Sequence, residues 1–171
     1  MRRMRPRLAV AAVLVLTPLV PLLSGCHKFQ ARMELKRGND LYKDEVYKDA
    51  LEQFQKGLQL DPGATFAWRS VGLSAMALYR PGLDTPDNRK YAAVAVDAFK
   101  KYLAAFPEDD KVEEYLITTL INNKEYDEAL GRLRAQAETV PPKAGVNGVI
   151  VATLTKAGRL EEAYEWAKKR P

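Results

Sequence analysis

ARMELKRGNDLYKDEVYKDALEQFQKGLQLDPG, residues 31–63, decides how the rest of the chain is read. Its small and apolar landmarks are Gly38, Ala50, Phe54, Gly57 and Pro62. Gly72 follows Gly38 by 34 positions, with Trp68 four residues ahead of it. Ala95, Phe99, Tyr102 and Pro107 repeat the steps of 4, 3 and 5 that separate Ala50, Phe54, Gly57 and Pro62, and Ala129, Leu133, Gln136 and Pro141 repeat them again. A period of roughly 34 residues marks a solenoid of helical hairpins. Within the quoted stretch, Leu51, Phe54 and Leu58 stand at i, i+3 and i+7 and share one face of a helix. Asp61-Pro62-Gly63 then stops that helix, because proline cannot continue it and glycine accepts the turn.

Working outward, the period divides the chain into units at 31–64, 65–109, 110–143 and 144–171. The second unit carries an insertion, since Ala95 falls later than the period requires. The extra residues read as a loop over Arg80–Arg89, RPGLDTPDNR, between its two helices. The third has Ile117 where a small residue is expected and Leu133 in place of phenylalanine. The fourth begins with Gly145, Asn147 and Gly148, poor helix formers, and recovers at Gly158-Arg159-Leu160-Glu161-Glu162-Ala163.

These landmarks resemble the tetratricopeptide repeat, over 31–171. The resemblance implies an all-α solenoid of antiparallel helix pairs, three to four repeats long. Small residues would stand where helices cross: Gly38 and Gly72 in first helices, Ala50, Ala95, Ala129 and Ala163 in second ones. Phe54 and Phe99 would fill the space between layers, Trp68 would open a first helix, and Tyr164 would take an ordinary packing position. The last unit lacks a polar capping helix, which is read as a C-terminal face covered by a partner or by a second copy of the chain, as an early-ending version of a longer chain, or as a frayed last helix with its aromatics folded locally.

Composition is that of a folded protein, with 47% apolar and 29% charged residues. The net charge is +5, but four of the 27 basic residues, Arg2, Arg3, Arg5 and Arg7, precede the first acid at Glu34. The rest is nearly balanced, so the charge does not point to a nucleic-acid partner. Cys26 is the single cysteine, which rules out an intramolecular disulfide and a multi-cysteine metal site.

Residues 1–25 read as a secretory signal, an arginine-rich start followed by the apolar run Leu8–Leu23, too short to span a bilayer and broken by Pro18 and Pro21. The run ends in Leu23-Ser24-Gly25-Cys26, which resembles the bacterial lipobox. That likeness implies peptidase cleavage before Cys26 and a covalent lipid on its thiol, with no other cofactor. By the same likeness, His27 in place of aspartate favours the outer membrane, facing the periplasm. Residues 26–30 then read as a short tether, reaching about 17 Å if extended, with the first helix starting near Gln30 or Ala31.

Catalytic chemistry has little to work with. His27 is the only histidine, and beyond the leader the only serines are Ser70 and Ser74, both on an expected helix. No Ser-His-acid set, histidine metal site or glycine-rich phosphate loop can be drawn. The acids Glu108, Asp109, Asp110, Glu113 and Glu114 read as complements to a helix dipole. The expectation is a non-enzyme with no metal site.

In the tetratricopeptide family the first helices line a concave groove. Carried over, this gives Arg32, Leu35, Asn39, Tyr42 and Lys43, then Phe66, Arg69, Leu73 and Met76, then Lys111, Glu114, Thr118 and Asn122. Polar ends flank an apolar middle, which suits an extended peptide. Of the five positions with which some members grip a terminal carboxylate, Asn39 and Lys111 match, while Leu35, Ser70 and Tyr115 do not. Leu73, Met76 and Phe66 read equally well as partly buried packing residues. The expected function is a lipid-anchored scaffold that helps assemble or localise an envelope protein complex. The alternatives are a binder of cell wall or of its hydrolases, and a subunit organising a separate envelope enzyme.

Overall fold

The structure is a computed structural model that describes residues 21–169; the expected signal residues 1–20 lie outside the described residues. Eight helices follow in chain order: α1 (Pro21–Lys43), α2 (Tyr47–Leu60), α3 (Ala67–Leu78), α4 (Pro86–Ala105), α5 (Asp110–Asn122), α6 (Tyr126–Ala137), α7 (Val146–Lys156) and α8 (Leu160–Lys169). Among the described residues there is no strand. Short connections force consecutive helices to run antiparallel. Each helix packs mainly on its chain neighbours, which makes the stack a solenoid.

The hairpins close where the sequence places its smallest residues. Ala50, Ala95 and Ala129 are fully buried and Ala163 nearly so. A Cβ at Gly38 would stand 2.8 Å from the Phe54 ring, and one at Gly72 would collide with the Phe99 ring. Phe54 and Phe99 are themselves buried. The Phe54 and Phe99 rings of the first two second helices thus occupy the space a side chain at Gly38 or Gly72 would need, so anything larger than hydrogen would push the axes apart. In the third hairpin the exchange is mutual. Ile117 replaces the glycine and Leu133 replaces the ring, and both are buried in the same cluster.

Three of the hairpin turns are built alike. Glu45 and Lys124 adopt positive φ angles of 61° and 64°, and Gly158 does so at 74°. The next residue's N–H donates back to the helix in each: Val46 to Leu41 O (2.9 Å), Glu125 to Leu120 O (2.8 Å), Arg159 to Leu154 O (2.9 Å). These are left-handed helix stops of the Schellman kind.

The second hairpin differs. Its loop covers only Tyr79–Thr85, because Pro86–Arg89, expected to be loop, form the first turn of α4. Thr85 Oγ1 accepts from Asn88 N and Pro86 sits where a helix has no use for an N–H. Asn88 is buried; its Nδ2 donates to Arg80 O (2.8 Å) and Leu83 O (2.7 Å), and its Oδ1 accepts from Arg80 N (2.7 Å). One amide thus adds three hydrogen bonds to a loop whose own backbone turn is the Leu83 N–H to Arg80 O bond (3.2 Å).

Two further expectations are corrected. Residues 26–30 are helical, not an extended tether, since α1 already begins at Pro21; no proline or turn sequence separates them from the packed stripe that starts at Ala31. The fourth unit is a helix pair, as the repeat implied; its weak start is helical because Val146, Ile150 and Leu154 at i, i+4 and i+8 are buried and packing outweighs propensity. Tyr164 is exposed rather than packed. Trp166 takes that role instead, packing on the C-terminal cluster and donating from Nε1 to Asn147 Oδ1 (3.3 Å).

Candidate binding groove

Helices α1, α3 and α5 carry the expected groove residues, and the structure sorts them into distinct surroundings. Leu35 does not belong to a groove at all. It is buried, and a Cβ on Gly57 would come within 2.6 Å of its Cδ2, so it is the residue that fits α1 to α2. Arg32, Asn39, Lys43 and Arg69 are exposed. Leu73 and Met76 are half-buried and rest on the core, whereas Phe66 is exposed just ahead of α3.

The centre of the face is where three hairpins meet. Tyr42 meets Tyr47 edge-on, with ring centroids 5.2 Å apart. Burial raises the Tyr42 phenol, the neighbouring Tyr47 and Tyr115 oxygens push the same way, and Arg69 opposes them. Tyr102 is raised by burial and by its hydrogen bond to Asp109 Oδ2 (2.9 Å), again with Arg69 opposing. Burial pushes the Asp109 carboxyl up, yet the Val112 N–H, the Tyr102 hydroxyl and Arg69 together hold it below its ordinary value. Arg69 is thus the shared cation of Tyr42, Tyr102 and Asp109, which come from the first, second and third hairpins. Lys111 lies 5.1 Å above the Tyr115 ring and is paired to Glu114 (2.8 Å).

The remaining candidates lie apart from that centre. Glu114 and Thr118 border a cavity of about 370 Å³ floored by Ile117, Ile121, Leu133 and Val149. Asn122 is at the far end of α5, where its carbonyl accepts from the Tyr79 hydroxyl (2.9 Å). Tyr79 and Asn122 border a second cavity, of about 270 Å³, with Asn88 and Lys124. Sequence reasoning missed Tyr102 because it belongs to a second helix, and Asp109 because an acid before a helix reads as a cap. Asp109 is such a cap, through Val112 N (3.1 Å), and its other oxygen turns it to the face. Among the described residues no group of three or more His, Cys, Asp or Glu is placed to hold a metal.

No family model matches the chain, and the search of curated proteins found no match. Solved structures do. Two of MamA AMB-1, in different crystal forms, superpose with TM-scores of 0.62 and 0.63 at 22% identity. Each match covers 81% of this chain, and 75% and 70% of the respective MamA chains. The likeness is one of fold. It joins this chain to MamA as an all-α, tetratricopeptide-like solenoid and assigns no residue a role.

Proposed function

We propose that the chain is a non-enzymatic interaction scaffold, held at a membrane by a lipid on Cys26, that helps assemble or localise an envelope complex. It presents the α1/α3/α5 face to an extended segment of another envelope protein. The observation that carries the reading is the hydrogen bond from Tyr102 to Asp109 (2.9 Å), which ties the second hairpin to the third, with the exposed Arg69 cation acting on both groups and on Tyr42 of the first. An exposed cation near half-buried tyrosines suits a peptide backbone or carboxylate. Asn39, one turn before Tyr42 on α1, adds an amide that can both donate and accept. For the address, the support is the sequence Leu23-Ser24-Gly25-Cys26 behind an apolar run, with Cys26 exposed. Among the described residues no helix is long and apolar enough to cross a membrane.

The test is capture from solubilised envelope by the purified chain, compared with Arg69→Glu combined with Asn39→Ala. The variant, still fully helical by circular dichroism, is expected to lose the captured protein. Equal capture by both places the contact on another face, and retention on purified cell wall in place of a protein overturns the reading of the partner. Cys26→Ala is expected to leave an unprocessed precursor without the acyl mass; normal maturation of that variant overturns the anchor.

A further inference from the structure

The first turns of α1 reach past the hairpin they begin. Every residue from Cys26 to Gln30 is exposed, and the packed stripe of the helix starts only at Ala31. Helical spacing puts Ala31, Leu35, Gly38 and Tyr42 on the side facing the solenoid, and Cys26, Phe29, Met33 and Arg37 on the opposite side. Phe29 is 66% and Met33 54% exposed, two large apolar side chains one turn apart with nothing packed on them.

The charges of this segment are one-sided. Lys28, Arg32, Lys36 and Arg37 are exposed, and none forms an ion pair among the described residues. The only acid between Cys26 and Arg37 is Glu34, which lies toward α2 and is taken by Lys56 at 2.7 Å. Past Arg37 the outward side changes sign, with exposed Asp40 and Asp44. An apolar stripe bordered by the unpaired cations Arg32, Lys36 and Arg37, with Lys28 free at the start of the helix ahead of the packed residues, and ending where acids begin, has the composition of a helix that lies in a membrane interface.

We propose that Cys26–Arg37 docks flat on an anionic bilayer surface. Cys26, Phe29 and Met33 face the acyl boundary, and the basic side chains reach lipid phosphates from the flanks. The choice of a bilayer over an acidic protein rests on continuity: the apolar run Leu8–Leu23 ends within one turn of the stripe, so whatever membrane receives that run is already at hand. Docking fixes more than position. With the outward side of α1 held down, the side bearing Leu35 and Tyr42, and the hairpins stacked on it, point away from the lipid. The inference rests on the membrane address proposed above but not on acylation alone, because the segment is held at a bilayer by the apolar run in the unprocessed chain and by the lipid on Cys26 once that run is removed.

The test is amide hydrogen exchange of the full chain reconstituted in vesicles of phosphatidylcholine alone, or of phosphatidylcholine mixed with phosphatidylglycerol. Amides of residues 27–37 are expected to exchange about tenfold or more slowly in the anionic vesicles, an effect that high salt reverses. The variant Lys28→Glu/Arg32→Glu/Lys36→Glu/Arg37→Glu is expected to lose the slowing while amides of α4 and α7 stay as protected as before, which shows that the fold is intact. Equal rates in the two vesicle types overturn the proposal, and so does slowing that survives the four reversals or that appears only when an acidic protein is added. The acyl mass on Cys26 is read separately, so a failed anchor and a failed docking surface give different results.

Discussion

The first two hairpins and the last two solve the same packing problem with different shapes. In α1/α2 and α3/α4 a phenylalanine ring lies on a glycine, and the core built on these contacts runs from Leu35 through α5 to Ala129 on α6. In α5/α6 two branched aliphatics, Ile117 and Leu133, meet instead, and a second, smaller cluster continues through Val146, Ile150 and Leu154 to Ala163. Where the clusters adjoin, the cavity of about 370 Å³ opens between α5, α6 and α7. A flat ring on bare backbone lets two helices approach closely; two side chains of similar girth hold them apart and leave space beside them. The hairpin geometry therefore recurs along the stack while its tightness does not.

The sharpest way to break this comparison is to remove the packing residue from each half. Phe99→Ala empties a fully enclosed site and is expected to cost about 3–5 kcal/mol, while Leu133→Ala, beside an existing cleft, should fall at the low end of about 2–5 kcal/mol. Urea denaturation of the two variants measures this. If Leu133 costs as much as Phe99, the C-terminal half is as tightly interlocked as the N-terminal one and the contrast fails.

A smaller effect comes from adding one methyl group. Gly72→Ala drives a Cβ into the buried Phe99 ring and is expected to destabilise by about 1–3 kcal/mol. Gly131, in the middle of α6, has nothing within 4 Å of where its Cβ would stand. There the same substitution only relieves the entropy of a helical glycine, and a gain of about 0.5–1 kcal/mol is expected. Opposite shifts in thermal midpoint support the reading; shifts of the same sign remove it.

The spacing of Gly38, Phe54, Gly72 and Phe99 is enough to place the first two hairpins and their close crossings. A glycine in one helix and a ring in the next, recurring from unit to unit, leave little room for a different packing. What stayed hidden had physical reasons. The helical start of α4 depends on Asn88 closing a loop by three hydrogen bonds, which no spacing reveals. Residues 146–148 look like poor helix on propensity, and only the burial of Val146 and Ile150 makes the turn worth forming. In the groove, Arg69 and Tyr42 could be placed from family positions. Leu35 could not be told from a groove residue, because its burial follows from Gly57 on the neighbouring helix. Tyr102 and Asp109 join the face from a second helix and a cap, positions that a rule about first helices passes over.

The smallest effect tests how the two halves are joined. Lys100 on α4 pairs with Glu128 on α6 at 2.7 Å, and Arg132 on α6 reaches both Glu128 (3.5 Å) and Glu113 on α5 (2.9 Å). Burial pushes the Glu128 carboxyl up, but Lys100 and Arg132 outweigh it and hold the group below its ordinary value. A carboxyl whose folded value is lowered adds stability that is fully present above its unfolded value and is lost as the pH falls through the folded one. Because these side chains are partly solvated, the contribution should stay below about 1 kcal/mol and shrink with salt. Thermal midpoints of the wild type and of Glu128→Gln, followed from neutral to acid pH, are expected to converge below the ordinary carboxyl range. A gap that keeps its size on acidification would mean that Glu128 acts by packing rather than by charge, leaving the halves joined by apolar contact and by the hydrogen bonds of Tyr79 and Tyr102.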